Sequence, residues 1–262
     1  MNTTDDIGDC RDIYYHTVPI FDYDREEPRL QGSGVFVSVE HSFFVITAAH
    51  VLEPGFQKVA FGFLGGNGVE VFGAGNMPIL KAQAQATTPH SRELTYKDGL
   101  DLALIAPTAE VLEPLQSHYR AYELRRSSDR PEVPWGVVSG WPARKNVYNR
   151  RKRLCNFDTC YHIQCPIAAE AELRRVLWNP DLYIGLSADK AKDFASASTG
   201  YRIHLPHLEG MSGGGFWVRS EVDGTWSLAG IVVEDHPIKR MLKVIKVEHV
   251  WTPLAAGWGV QR

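Results

Sequence analysis

A serine set among glycines, a histidine closing an apolar run and an aspartate opening another have the types and surroundings for covalent chemistry. Ser212 lies in Glu209-Gly210-Met211-Ser212-Gly213-Gly214-Gly215, where glycines on both sides open backbone conformations closed to other residues and leave room for a substrate carbonyl. His50 ends the run Phe43 to His50 (FFVITAAH), whose small residues before the histidine let an imidazole face a cleft. Asp101 opens Asp101-Leu102-Ala103-Leu104-Ile105, a carboxylate entering an apolar strand, where burial is tolerated only if the charge is paired or well hydrogen-bonded. A histidine Nδ1–H is such a partner. Acyl transfer at neutral pH needs a nucleophile, a base near pKa 7, a group fixing the base's tautomer, and donors for the developing oxyanion. Ser212, His50 and Asp101 supply the first three, and the amides of Gly210 and Ser212 the fourth.

Each of these residues also has a plain structural reading. A glycine-flanked serine is usually a turn, a lone histidine structural, and an aspartate ahead of an apolar strand a cap. The order His, Asp, Ser along the chain raises the set above its parts, because it belongs to one particular triad architecture among several unrelated ones. Asp98 is the rival carboxylate, but Gly99 and Leu100 separate it from the apolar strand, so it reads as a turn residue.

The elements that must hold these residues read as strands. Gly34 to Val39, Ser42 to Ile46, Leu100 to Ile105, Val137 to Ser139, Gly215 to Val218 and Ser227 to Val233 are short, rich in Val, Ile or Phe, and bounded by turn-forming residues. This is a β-barrel pattern rather than alternating βαβ units. Helical periodicity is confined to Ala109 to Leu124 and Ala168 to Leu177, with a short C-terminal helix expected over His249 to Ala256. The stretch Gly62 to Gly75 holds six glycines; it matches neither G-x-G-x-x-G nor a P-loop and reads as hairpin turns. With 262 residues, 44% hydrophobic and 23% charged, one compact catalytic unit is expected.

The formal charge of -3, from 28 Lys+Arg against 31 Asp+Glu, provides no global basic field for nucleic acid or an anionic membrane. No apolar stretch approaches the roughly 18 residues of a membrane span, and the start MNTTDDIGDCRDIYY lacks a basic n-region and an apolar h-region. A soluble, cytoplasmic protein without nucleic-acid or membrane partners is expected. Of four cysteines, Cys155, Cys160 and Cys165 stand five residues apart; on a strand that spacing alternates faces. Zinc ligation with His162 competes with free thiols in a reducing compartment, and the absence of paired short-spacing knuckles favours the thiols. The one charge run, Arg144 to Arg153 (RKNVYNRRKR), carries six basic residues in ten. A solvated loop, a surface for acidic substrates or partners, and nucleic-acid contact compete there, in that order.

From about Gly32 to Val250 the chain resembles the trypsin-like, chymotrypsin-fold serine peptidases. Gly32-Ser33-Gly34-Val35-Phe36 resembles the opening strand of the first barrel, Thr47-Ala48-Ala49-His50 the histidine motif, and Asp101-Leu102-Ala103-Leu104 the aspartate motif. Ser139-Gly140-Trp141, Gly210-Met211-Ser212-Gly213-Gly214 and Leu228-Ala229-Gly230-Ile231-Val232 follow in the family's order. The resemblance implies an all-β fold of two six-stranded antiparallel barrels, the first over about 14–106 and the second over about 134–250, in a single peptidase unit. It implies a serine endopeptidase cleaving protein or peptide substrates through an acyl-enzyme, with no metal and no cofactor.

Departures from the family pattern carry their own implications. Met211 stands where secreted relatives carry an aspartate that binds a newly cleaved N-terminus, so zymogen activation of that kind is not expected. The loop is then ordered intrinsically or by another event, as in intracellular, bacterial-type relatives. Val51 replaces the cysteine that often follows the histidine. By similarity the primary specificity pocket has Pro206 at its base and Val232, Val233 and Glu234 in its wall, implying an apolar or small side chain before the scissile bond unless Glu234 or Asp235 points inward. His204 and His207 read as surface residues. A regulated effector with a regulatory partner is a further possibility carried by the resemblance. The competing readings are a pseudoprotease acting as a protein-binding module, and a serine esterase. The esterase shares G-x-S-x-G, but it needs the order Ser, Asp, His on an α/β sheet.

Overall fold

The computed structural model describes residues 10–23, 28–52, 58–65, 68–75, 77–81, 100–124, 133–142, 146–149, 154–157, 160–193, 210–236 and 238–250. After a short helix α1 (Arg11–His16), the first half of the chain forms one sheet from β1 (Thr17–Asp22), β2 (Arg29–Val39), β3 (Ser42–Thr47), β4 (Val59–Gly65), β5 (Gly68–Gly75), β6 (Ile79–Lys81) and β7 (Ala103–Ile105). Its order is β5-β4-β1-β2-β3-β7-β6, and β8 (Tyr122–Glu123), which follows helix α2 (Ala109–His118), adds to β2 in parallel. The second half begins with β9 (Trp135–Gly140) and a separate hairpin, β10 (Asn146–Asn149) and β11 (Leu154–Phe157). It continues with β12 (Tyr161–Pro166), α3 (Glu170–Arg175), β13 (Tyr183–Ser187), β14 (Lys192–Asp193), β15 (Gly215–Arg219), β16 (Trp226–His236) and β17 (Met241–Lys246). These strands, apart from the hairpin, form a second sheet in the order β13-β17-β16-β15-β9-β12-β14.

Five of the six strand runs expected from sequence lie wholly in strands, the sixth, Leu100 to Ile105, is strand only over Ala103–Ile105 because Leu100 to Leu102 form a tight turn, and the two-sheet antiparallel architecture is the one expected. Among the described residues the first sheet has eight strands and the second seven, where six each were expected; the additional ones are pieces of two or three residues, β6, β8 and β14, too short for periodicity to resolve. β1 escapes a sequence reading because Pro19 interrupts it. Its ladder tolerates the missing N–H, since β1 pairs with β4 only from Ile20 onward. Gly62 to Gly75 is more than turns: β4 and β5 form a long hairpin closing at the Gly65–Gly68 pair.

The helix expected over Ala109 to Leu124 stops at His118. Beyond it the backbone is captured by neighbours: Arg120 N–H donates to Tyr15 O (2.9 Å), Leu124 N–H to Ser38 O (2.8 Å), and Tyr122 pairs with Val37. Tertiary hydrogen bonds outweigh a local preference worth only tenths of a kcal/mol per residue. α3 is likewise shorter than Ala168 to Leu177; its N-terminus is capped by Glu172, whose carboxylate accepts the Ala169 N–H (3.2 Å). Leu177, at φ 60, turns the chain out of the helix. Residues 247–250 are helical, and the rest of the expected C-terminal helix lies outside the described residues.

One core joins the two sheets. Val35, Val37, Val45, Ile46, Leu102 and Leu104 from the first pack in the same buried cluster as Val137, Trp217, Ile231 and Ile245 from the second. Buried polar side chains cross this boundary as a directed chain. Trp217 Nε1–H donates to Ser139 Oγ (3.0 Å), Ser139 Oγ and Thr17 Oγ1 are 2.7 Å apart, and Thr17 donates to Ile13 O (3.0 Å). An indole can only donate and a carbonyl only accept, so the Ser139 proton must point to Thr17.

Candidate active site

The partner of β3 dictates where His50 and Asp101 go. β3 and β7 are antiparallel, with Thr47 opposite Ala103, so the residues just after β3 meet those just before β7. The chain leaves β3 through Ala48 into a single 3-10 turn, Ala49–Leu52, that buries Val51 and Leu52 and leaves His50 outward. At the other end Leu102 N–H closes a tight turn on Leu100 O (2.6 Å), with Leu102 buried beneath and Asp101 at its apex. His50 Nδ1 lies 2.6 Å from Asp101 Oδ2, and the His50 backbone N–H donates to Asp101 Oδ1 (2.9 Å). The carboxylate therefore grips both the ring and the main chain of His50, which fixes the ring's plane and commits Nδ1 to carrying the proton, leaving Nε2 as the basic nitrogen. The two side chains are 40% and 38% exposed, so substrate and solvent can reach them.

The Ser212 loop arrives from the second half of the chain. Gly210 and Gly213 have φ of +91° and +85°, conformations that only glycine adopts freely. A Cβ on Gly213 would stand 2.0 Å from Ser33 O and 2.1 Å from Thr47 Oγ1, so this glycine is also required by close packing. The loop is tied to β16, through Gly213 N–H to Val232 O (2.7 Å) and Val232 N–H to Gly214 O (2.9 Å), and to β2, through Ser33 N–H to Ser212 O (2.8 Å). The position of a Cβ on Gly32 would lie 2.7 Å from a Val51 methyl and 2.9 Å from Ser212 O. Gly32 thus separates the residue after His50 from the main chain of Ser212 by a single atom's width, and the histidine turn and serine loop face each other across it. Among the described residues, the N–H groups of Gly210 and Ser212 have no hydrogen-bond acceptor.

Of the residues expected in a specificity pocket, Pro206 lies outside the described residues, as do His204, His207 and Asp98. Val232 and Val233 are buried in β16. Glu234 follows an irregularity in the β16–β17 register and points outward, its carboxylate 3.2 Å from Lys243 Nζ. The basic run falls partly on β10, whose side chains, like that of Cys155, lie outside the described residues. Cys160 and Cys165 are free thiols. Cys160 packs with Phe21, Ala60 and Trp141, and Cys165 with Val138 and Ile163; burial pushes both thiols up, Cys165 to about 12. Among the described residues no group of three or more His, Cys, Asp or Glu is arranged to hold a metal. No helix among them is long and apolar enough to cross a membrane. His162 is half-buried, its Nε2 is shut off from solvent with no hydrogen-bond partner among the described residues, and desolvation pulls its pKa down to about 4.

Sequence reasoning passed over Ser33 and Thr47 as parts of motifs without assigning them work. The usable signal was a hydroxyl residue set between glycines ahead of an apolar run, as Ser33 is, or ending one, as Thr47 does, since a polar group carried into the core by such a run needs a partner.

No family model matches this chain, and no curated protein matches it. Among solved structures the chain is similar to neuropsin, described as a serine protease expressed in the limbic system of mouse brain, with 17% sequence identity, a TM-score of 0.56, and 94% of this chain and 95% of that one covered. At that identity the likeness is one of architecture, and it agrees with the sheet order traced above: the chain has the chymotrypsin-like two-barrel fold.

Proposed function

We propose that this chain is a serine endopeptidase that cleaves protein or peptide substrates through an acyl-enzyme. The observation that carries the reading is the double grip of Asp101 on His50, at 2.6 Å to Nδ1 and 2.9 Å to the backbone N–H, on a fold whose Ser212 loop lies across Gly32 from the same turn. In this mechanism Ser212 Oγ attacks the scissile carbonyl as His50 Nε2 takes its proton. Asp101 stabilises the imidazolium, and the Gly210 and Ser212 N–H groups receive the oxyanion. His50 then returns the proton to the leaving amine; in the second half water, losing a proton to His50 Nε2, attacks the acyl carbon, and His50 passes that proton to Ser212 Oγ as the ester bond breaks.

Further parts of the proposal follow from residues named above. Met211, fully buried, replaces an ionisable anchor with an apolar one, so the chain needs no N-terminal cleavage to become active. The Glu234–Lys243 pair turns that carboxylate away from a pocket walled by Val232 and Val233, which favours an apolar or small side chain before the scissile bond. The working location is a cytoplasmic, reducing one, where buried thiols such as Cys160 and Cys165 persist. The binding-module alternative has no observation of its own in its favour.

The test is labelling of the intact, uncleaved protein by a fluorophosphonate probe, with a peptide library to read specificity. Labelling and peptide turnover in wild type, both lost in Ser212→Ala, are expected. A folded wild-type protein that neither labels nor turns over any peptide beyond the Ser212→Ala background refutes the reading.

A further inference from the structure

A loop with positive φ at both Gly210 and Gly213 has little stiffness of its own, because glycine resists neither rotation. Its shape must come from what its peptide groups are bonded to. Four of the five carbonyls of residues 210–214 are taken: Gly214 O by Val232 N–H (2.9 Å), Met211 O by Gly214 N–H (2.9 Å), Ser212 O by Ser33 N–H (2.8 Å), and Gly210 O by the Ser33 hydroxyl (2.8 Å). Two of these four anchors belong to one residue, and that residue lies in the other sheet.

Ser33 is itself locked. Its Oγ accepts the Trp141 backbone N–H (2.8 Å), and its carbonyl accepts the Thr47 hydroxyl (2.7 Å). A backbone N–H can only donate and a carbonyl only accept, so the Ser33 proton has a single available direction, toward Gly210 O. Ser33 is fully buried, which strengthens these bonds and leaves no water to replace them. The close approach is built in: a Cβ on Gly140 would stand 3.0 Å from Ser33 Oγ and 3.0 Å from the Met211 sulfur.

We propose that Ser33 is the positioning residue of the serine loop. Its hydroxyl holds the Gly210–Met211 peptide and its amide holds the Ser212–Gly213 peptide, so that the Gly210 and Ser212 N–H groups converge before substrate arrives. The inference rests on the serine-peptidase reading and adds to it the device that forms the oxyanion site without any cleavage or partner. Ser33 touches neither substrate nor reacting atoms; it acts through the loop.

The experiment is steady-state kinetics on a fluorogenic peptide with wild type, Ser33→Ala and Ser212→Ala, alongside inhibition by a peptide boronate, whose tetrahedral adduct uses the same donors, and by the amine-side product peptide, which does not. Losing one oxyanion donor costs about 100- to 1000-fold. Loosening both without removing either is expected to lower kcat about 10- to 100-fold. KM and product-peptide affinity should stay within about twofold, and boronate affinity should fall with kcat. Wild-type turnover with a Ser33→Ala kcat within about threefold, even at a lowered Tm, overturns the proposal while the peptidase reading stands. Absent turnover in wild type, matching Ser212→Ala, fells both. If Ser33→Ala does not fold, Ser33→Cys, which keeps the volume and a weak donor, replaces it in the same assays. Failure of both to fold makes Ser33 a residue of the fold alone and overturns the proposal as well.

Discussion

Replacing Asp101 by asparagine separates the geometric role of the carboxylate from its charge. Asp101 receives two donors, the His50 backbone N–H on Oδ1 and ring Nδ1–H on Oδ2, and asparagine offers only one acceptor. The backbone N–H has no tautomer to change, so it keeps the asparagine oxygen, and the amide NH2 is left facing Nδ1. The ring answers by moving its proton to Nε2, where it can no longer accept one from Ser212. Loss of charge alone removes about 4 kcal/mol of attraction for the imidazolium at roughly 4 Å and an effective dielectric near 20. With both groups close to 40% exposed, screening reduces this to about 1–3 kcal/mol, or about 5- to 150-fold. The wrong tautomer adds to it, for a total fall in kcat of about 10³ to 10⁴. Single-turnover acylation of an activated peptide ester measures this without interference from product release, and the melting temperature is expected to stay near wild type because the site is exposed. An Asp101→Asn rate within tenfold of wild type, with Ser212→Ala still inactive, would mean that the carboxylate does not set the tautomer.

Other expectations test the surroundings of the site. Gly213→Ala forces a Cβ onto Ser33 O and Thr47 Oγ1 at positive φ, and should cost about 3 kcal/mol or more in urea unfolding along with all fluorophosphonate labelling. Thr17→Val removes the middle of the buried relay between Ser139 and Ile13; denaturant titration should show a loss of about 2 kcal/mol. Burial lowers the His162 pKa to about 4, so between its unfolded value near 6.5 and about 4 the unfolded chain binds the extra proton. Stability is therefore full above pH 6.5 and falls by about 3 kcal/mol as pH drops to 4, a slope that urea titrations should find in wild type and not in His162→Phe. Cys165, with its pKa pushed up to about 12, should resist a thiol reagent at pH 8 until the protein unfolds.

What sequence could disclose here followed physical range. His50, Asp101 and Ser212 each sit beside strong local signals, an apolar run or a glycine cluster, and the structure joins the first two directly. β2, β3 and β16 were legible because their Val, Ile and Phe runs are bounded by turn residues. β1 was hidden by Pro19, and the end of α2 by acceptors on Tyr15 and Ser38, more than eighty residues distant in sequence. Ser33 was the least legible of all: its work is defined by partners on Gly210, Trp141 and Thr47, and no window along the chain contains them together.

The division of labour across the sheets has a practical consequence. Everything up to Leu124 contains the base and its carboxylate; everything from Val133 onward contains the hydroxyl. A polypeptide cut between those points yields two fragments, neither of which holds a full reactive set, and Ser33 can grip its loop only when they reassociate. Fused to two other proteins, such fragments would turn peptide hydrolysis into a signal that the fusion partners have met.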